Sequence, residues 1–355
     1  MLYEKACYKN FDNLQGLRFI AFLFVFYNHS YTWLGSNKIY DLGARGVEIF
    51  FVLAGFLVAY HYSNSELQNS IKASINYVYK KCKKFYVLHI ITFVCFFVLP
   101  FTKILKNEFD ESKIYEFWTC AFLNITLLRS WVWTPNIEFS FNGPTWFLSS
   151  ILLSYFLVPQ IVNYFKNKNY QFYLFSFLFI FLLKLFLDTY CIKYTELYKV
   201  FYLYINPIYR VFDFLLGYMF FLLIKDESIN LSKKQVSLFQ LIILIIYLFS
   251  CFKFYRIWLS AIYILLSLML IYVMIQENGI LNYIFGNKLL VFLGNISFEL
   301  FMLHMIALKL SNFINSAFLS SYFSKNELWF LALLMTILLS YIASQKPWRF
   351  LKMGF

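Results

Sequence analysis

The stretch LQGLRFIAFLFVFYNHSYTW, Leu14 to Trp33, is apolar enough to cross a bilayer, yet it holds an arginine, Arg18, and a histidine, His29. A helix needs about 20 apolar residues to span a hydrocarbon core of roughly 30 Å. A charged or titratable side chain at that depth is costly, and it normally faces a bundle interior or an aqueous cavity. Eleven residues separate the two positions. At about 100° and 1.5 Å per residue they return to within roughly 20° of one face, about 16 Å apart along the axis. A cation and a proton acceptor therefore face one interior. A snorkelling Arg18 and an interfacial His29 satisfy the same spacing, so spacing alone leaves both readings open.

The rest of the chain extends this reading. It has 355 residues, of which 61% are hydrophobic and 14% charged, whereas a soluble domain carries about 25% charged residues. This predicts an all-α, polytopic membrane protein, a single integral-membrane domain over residues 1–355, with about ten helices around a polar cavity. The expected spans are 14–33, 46–62, 85–101, 145–164, 170–189, 200–224, 235–252, 257–275, 289–314 and 328–344. The first span is too long and too polar for a cleavable signal peptide. The net charge of +13 sits at helix ends, where it fits membrane anchoring and orientation instead of nucleic-acid binding. The six cysteines, Cys7, Cys82, Cys95, Cys120, Cys191 and Cys251, lack metal-ligand spacing, so neither a disulfide framework nor a metal site is expected.

Lysines and arginines set the orientation. Lys72, Lys80, Lys81, Lys83 and Lys84 follow the second span. Lys166, Lys168, Lys225, Lys233 and Lys234 fall on the same side, with Lys5, Lys9, Lys288, Lys346, Arg349 and Lys352. Both termini are therefore expected in the cytoplasm. The longest loop, 102–144, turns apolar from Phe117 to Trp133. A re-entrant or interfacial segment fits it, because a further span would reverse every later loop. No internal repeat is evident, which argues weakly against a transporter.

Several motifs carry a resemblance. After Arg18 and His29 comes Gly46-Val47-Glu48-Ile49-Phe50-Phe51-Val52-Leu53-Ala54-Gly55-Phe56. Later come Asn142-Gly143-Pro144-Thr145-Trp146-Phe147-Leu148-Ser149, then Asn206-Pro207-Ile208-Tyr209-Arg210 with Phe214 and Gly217, then Leu293-Gly294-Asn295-Ile296-Ser297-Phe298 through His304. Together, and in this order, they resemble the acyltransferase-3 family of integral-membrane O-acyltransferases. That family typically has Arg, ten residues, then His in its first helix. This chain departs from its pattern at Glu48 (Asp in the family), Ala54 (Ser), Ile151 (often Glu), Val87 (Pro) and Gln345 (Glu). Lys80, Lys81 and Lys84 stand where the family has arginines.

The resemblance implies acyl transfer from acyl-CoA, by default acetyl-CoA, to a hydroxyl of a surface glycan or glycolipid at the bacterial inner membrane, with no bound cofactor. Such chemistry needs a base, a cation for the donor and exclusion of water. His29 is the candidate base, against a structural histidine. Arg18 suits a donor phosphate or thioester oxygen, or pairing with Glu48. Lys80, Lys81 and Lys84 are candidate CoA contacts, against plain membrane anchors. Glu48, Trp146, Arg210, Ser297 and His304 are expected to line the cavity. Lys184 and Asp188, and Arg210 and Asp213, are spaced to pair along their helices. His61 and His89 are expected to snorkel at helix ends. Many relatives add an SGNH-type hydrolase domain. The sequence to Phe355 carries none, so the chain is expected to act alone or with a separate periplasmic acyl-transfer partner. The rival reading is a transporter or flippase for a lipid-linked glycan.

Overall fold

Backbone polar groups find no water in hydrocarbon, so spanning segments must satisfy them internally. The computed structural model describes residues 11–34, 42–132, 134, 137, 139–193, 203–226, 231–253, 260–276, 279–317 and 323–345. Among these residues there are helices and two 3-10 turns but no strand. The helices are α1 (Asp12–Leu34), α2 (Leu42–Tyr62), α3 (Ile71–Leu105), α4 (Glu111–Ile125), α5 (Trp146–Phe165), α6 (Tyr170–Lys193) and α7 (Pro207–Ile224). They continue with α8 (Lys233–Lys253), α9 (Ser260–Ile275), α10 (Ile280–Phe285), α11 (Lys288–Asn295), α12 (Ser297–Ala317) and α13 (Lys325–Ser344). The chain is an all-α, polytopic membrane protein. Eight of these helices are long and apolar enough to cross a bilayer. α1 is not among the eight, and α9 has only 16 residues. Lys5, Lys9, Cys7, Lys346, Arg349, Lys352 and the side chain of Cys191 lie outside the described residues.

Each expected span contains a helix, with three differences. α3 has 35 residues and begins fourteen positions before the expected Phe85. It starts with a Ser70 cap that accepts a hydrogen bond from the Ala73 amide. The lysines at 80–84 are therefore helical and share a rod with the apolar residues beyond them. α4 has 15 residues, about 22 Å at 1.5 Å per residue, too short for the hydrocarbon core. It packs against α3 through Phe117 and Trp118 on Phe97, at 5.0 and 6.1 Å between ring centroids. The expected 289–314 span is broken at Ile296 into α11 and α12.

α1 and α2 lie at the centre. α2 is mostly buried and packs most extensively against α7, whereas α6 and α8 expose most of their surface. The α2–α7 approach depends on two glycines. A Cβ on Gly55 would strike the Phe214 carbonyl oxygen, and one on Gly217 would strike the Val52 carbonyl oxygen. Small residues allow such approach where lipid offers no hydrophobic drive between helices. Gly294 plays the same part beside the Gln15 carbonyl, which ties the α11–α12 break to the first turns of α1.

Candidate active site

Arg18 and His29 project from α1 toward two different compartments. Arg18 donates to Gln15 Oε1 at 3.2 Å and lines a cavity of about 630 Å³. Lys81 and Lys84 of α3, His61 and Tyr62 of α2, and Tyr155 of α5 line its polar end. Lys81 Nζ lies 5.2 Å from the ring centroids of both Tyr77 and Tyr155. That cage holds the ammonium in place without neutralising it. Leu53, Ala54, Leu57 and Val58 of α2 form an apolar wall. The cavity runs from His61 to Phe50, about 16 Å by the rise of α2.

Three rings close the inner end. Phe50, Phe147 and Phe301, from α2, α5 and α12, line the cavity and meet one another at 6.1, 6.4 and 5.4 Å. Phe51 backs Phe147 at 4.8 Å. Ser297 and Phe298 line the same cavity one turn below Phe301 on α12. His304 lies one turn beyond Phe301, away from the cavity.

His29 meets His304 there. Their Nδ1 and Nε2 atoms are 2.8 Å apart, and His304 Nδ1 donates to the Phe301 carbonyl at 2.7 Å. Phe22 and Phe26 of α1 pack on the His304 ring at 6.0 and 6.4 Å. His304 is fully buried and His29 partly so.

Of the five residues expected to line the cavity, Ser297 alone lines this one. Glu48 is buried in an ion pair with Arg45 at 2.9 Å, and Arg45 also sits 3.8 Å over the Tyr263 ring. Glu48 is thus committed within its own helix, away from Arg18. Arg210 pairs with Asp213 at 2.5 Å, as its spacing suggested, and donates to the Tyr204 carbonyl at 2.6 Å. Trp146 is buried against Tyr204 at 5.0 Å. These residues form a wall between α2, α5 and α7. His304 lies behind the ring layer.

Two further expectations, for Lys184 and His89, are corrected. Lys184 pairs with Asp213 at 2.7 Å instead of with Asp188. Asp188 accepts from the Tyr209 hydroxyl and, at 2.8 Å, from the Ala261 amide. His89 is buried, with Nε2 donating to the Asn124 carbonyl at 3.0 Å, so it does not snorkel. His61 is exposed at the end of α2, as expected, but borders the cavity. Lys80 is exposed and does not line it.

Arg129 was not singled out from sequence. It is buried, donates to Asn124 Oδ1 at 2.7 Å, and bonds the carbonyls of Ser140, Asn142 and Gly143. Asn142 Nδ2 donates in turn to the Met302 carbonyl at 3.0 Å. The loop before α5 is thereby pinned to α12 beside His304. A cation inside the apolar run 117–133 carried the same signal as Arg18. Among the described residues no group of three or more His, Cys, Asp or Glu side chains could hold a metal ion.

The site thus consists of an apolar helix bundle, a cavity with a cationic end, and a histidine pair behind the ring layer. The comparisons place the chain in a family. A family profile described as an acyltransferase domain matches residues 11–345, and the chain belongs to this acyltransferase-3 family. It is also 26% identical to acyltransferase MdmB of Streptomyces mycarofaciens over 156 residues, 41% of this chain and 38% of that protein. No solved structure matches the chain. The chain is a multi-pass membrane member of that family, and the stretch matched spans well under half the length of acyltransferase MdmB.

Proposed function

We propose that this enzyme moves a short acyl group, by default acetyl, from acyl-CoA to a hydroxyl of a surface glycan or glycolipid. The observation that carries this reading is the cavity that runs from Lys81 and Lys84 past Arg18 to the ring layer below His29 and His304. Lys81 and Lys84 hold the donor's phosphates at the mouth as point charges. Arg18, deeper in, holds a phosphate of the donor. The thioester arm threads between Phe50, Phe147 and Phe301, because about 16 Å separates Arg18 from His29 along α1 and proton transfer needs contact of about 3 Å. The rings otherwise keep water from the thioester.

His29 takes the hydroxyl proton as the oxygen attacks the thioester carbon. The C–S bond breaks, and the thiolate recovers the proton from His29, giving an ester and free CoA. The lysines near the first helices support a cytoplasmic donor end, with both termini on the cytoplasmic side of the bacterial inner membrane and the acceptor reached from the outer side. A separate periplasmic protein that passes the acyl group onward is compatible with this arrangement.

The test is expression of wild type, Arg18→Ala and His29→Ala in a host lacking the gene, with glycan and glycolipid O-acylation read by mass spectrometry. Acylation is expected in wild type alone. Wild-type acylation in His29→Ala would overturn the mechanism. Loss of surface glycan with unchanged acylation would favour the flippase reading.

A further inference from the structure

We propose that His304 is a positioning residue that decides which nitrogen of His29 acts as the base; this rests on the reading of His29 as the base. The hydrogen-bond chain fixes the tautomers. The Phe301 carbonyl can only accept, so His304 Nδ1, 2.7 Å away, carries its hydrogen. In a neutral imidazole the other nitrogen is then an acceptor. His304 Nε2 lies 2.8 Å from His29 Nδ1, so His29 Nδ1 carries a hydrogen and donates it. The lone pair of His29 is thereby assigned to Nε2. A second hydrogen bond commonly fixes the tautomer of a working histidine in this way.

The packing holds the assignment. His304 has no exposed surface, and Phe22, Phe26 and Phe301 surround its ring at 6.0, 6.4 and 5.9 Å. A ring flip would place carbon atoms against both hydrogen-bond partners. The chain of contacts also reaches the donor cavity. Phe301 supplies the carbonyl that orients His304 and one of the three rings that close the cavity. When His29 Nε2 takes the hydroxyl proton, the His29 Nδ1–H···Nε2 His304 bond gains charge assistance, so it stabilises the transition state more than the ground state. His304 exchanges no proton in the net reaction. The proton passes from hydroxyl to His29 Nε2 and then to the CoA sulfur.

Two conservative variants separate this role from a structural one. In His304→Gln the side-chain oxygen takes the place of Nε2 and still accepts from His29. In His304→Asn the side-chain amide takes the place of Nδ1 and still donates to the Phe301 carbonyl, but offers nothing to His29. The chain has four histidines, so 15N-histidine labelling of the full-length protein in nanodiscs gives a spectrum simple enough to assign by single substitutions. His29 is expected in the Nδ1–H form in wild type and His304→Gln, and out of it in His304→Asn. CoA release from acetyl-CoA, with a total glycolipid extract as acceptor, should fall about 100-fold in kcat for His304→Asn. The KM for acetyl-CoA should not change, and His304→Gln should recover at least tenfold of the loss. A purely structural His304 would give the opposite order, with Asn active and Gln impaired. That order, or a wild-type His29 protonated on Nε2, would overturn the proposal. If wild type shows the Nδ1–H form but turns over no acetyl-CoA, the donor reading fails and the positioning role stands.

Discussion

Replacing Asp213 by Asn should destabilise this protein more than replacing any residue that lines the cavity. The Asp213 carboxylate accepts a hydrogen bond from Arg210 at 2.5 Å and forms an ion pair with Lys184 at 2.7 Å, and all three side chains are fully buried. Around them lie Arg45 with Glu48, and Asp188 held by Tyr209 and Ala261. Three cations, Arg45, Lys184 and Arg210, thus stand against three carboxylates, Glu48, Asp188 and Asp213. Removing one partner of a buried pair typically costs about 3–5 kcal/mol, because the other charge stays buried. Asp213→Asn strands two contacts and leaves a surplus cation, so it belongs at the upper end of that range. Lys184→Met loses one contact and should cost about half as much. The double variant restores charge balance, so its cost should fall short of the sum by about 2–3 kcal/mol. Unfolding by SDS titration in mixed micelles measures all three. Additivity within about 0.5 kcal/mol, or an Asp213→Asn protein as stable as wild type, would refute the reasoning. The same logic predicts that Arg210→Ala lowers activity through folded yield, with the KM for donor unchanged in the protein that does fold.

The other predictions concern the cavity and one helix cap. Phe147→Ala opens the three-ring layer, so CoA release from acetyl-CoA without acceptor should rise about tenfold as water gains access; a thiol-reactive dye reads this, and unchanged release would mean the rings do not close the path. Lys81→Gln and Lys84→Gln should each raise the KM for acetyl-CoA several-fold at low salt, and less at high salt as screening grows, while Lys80→Gln should leave it unaltered. Asp110 caps α4, and the Lys113 amide, with Ser112 and the Lys113 ammonium, lowers its carboxyl from 3.8 to about 2. A depressed carboxyl pKa stabilises the fold fully above the unfolded value and loses that effect as pH falls toward the folded one. Hydrogen-exchange protection in the first turn of α4 should therefore hold from pH 8 to 5 and fall only below about 4.

The sequence made the bundle legible because lipid imposes one strong rule, and long apolar runs answer it. The shared face of Arg18 and His29 followed from helical spacing alone. What joins His29 to His304 did not, since 275 residues separate them and only tertiary packing brings α1 against α12. The ion pairs show the same limit. Arg210 and Asp213 are three apart on one helix and pair as spacing predicts. Lys184 had an equally good local partner in Asp188, yet the crossing of α6 and α7 puts Asp213 nearer. Periodicity cannot see that crossing. The ring layer was hidden for another reason: in a chain with 46 phenylalanines, nothing in composition distinguishes the three that close a cavity. The lysines at 80–84 were found but misplaced in a loop, because charge marks the end of a hydrocarbon span without marking the end of its helix.

The most direct test of the account is transfer of label from [1-14C]acetyl-CoA by purified protein to membranes of a strain lacking the gene. Wild type should place base-labile label in a glycan or glycolipid fraction. His29→Ala should bind acetyl-CoA with unchanged affinity and transfer it about 10²–10⁴-fold more slowly. Label transfer by His29→Ala at the wild-type rate would contradict the account.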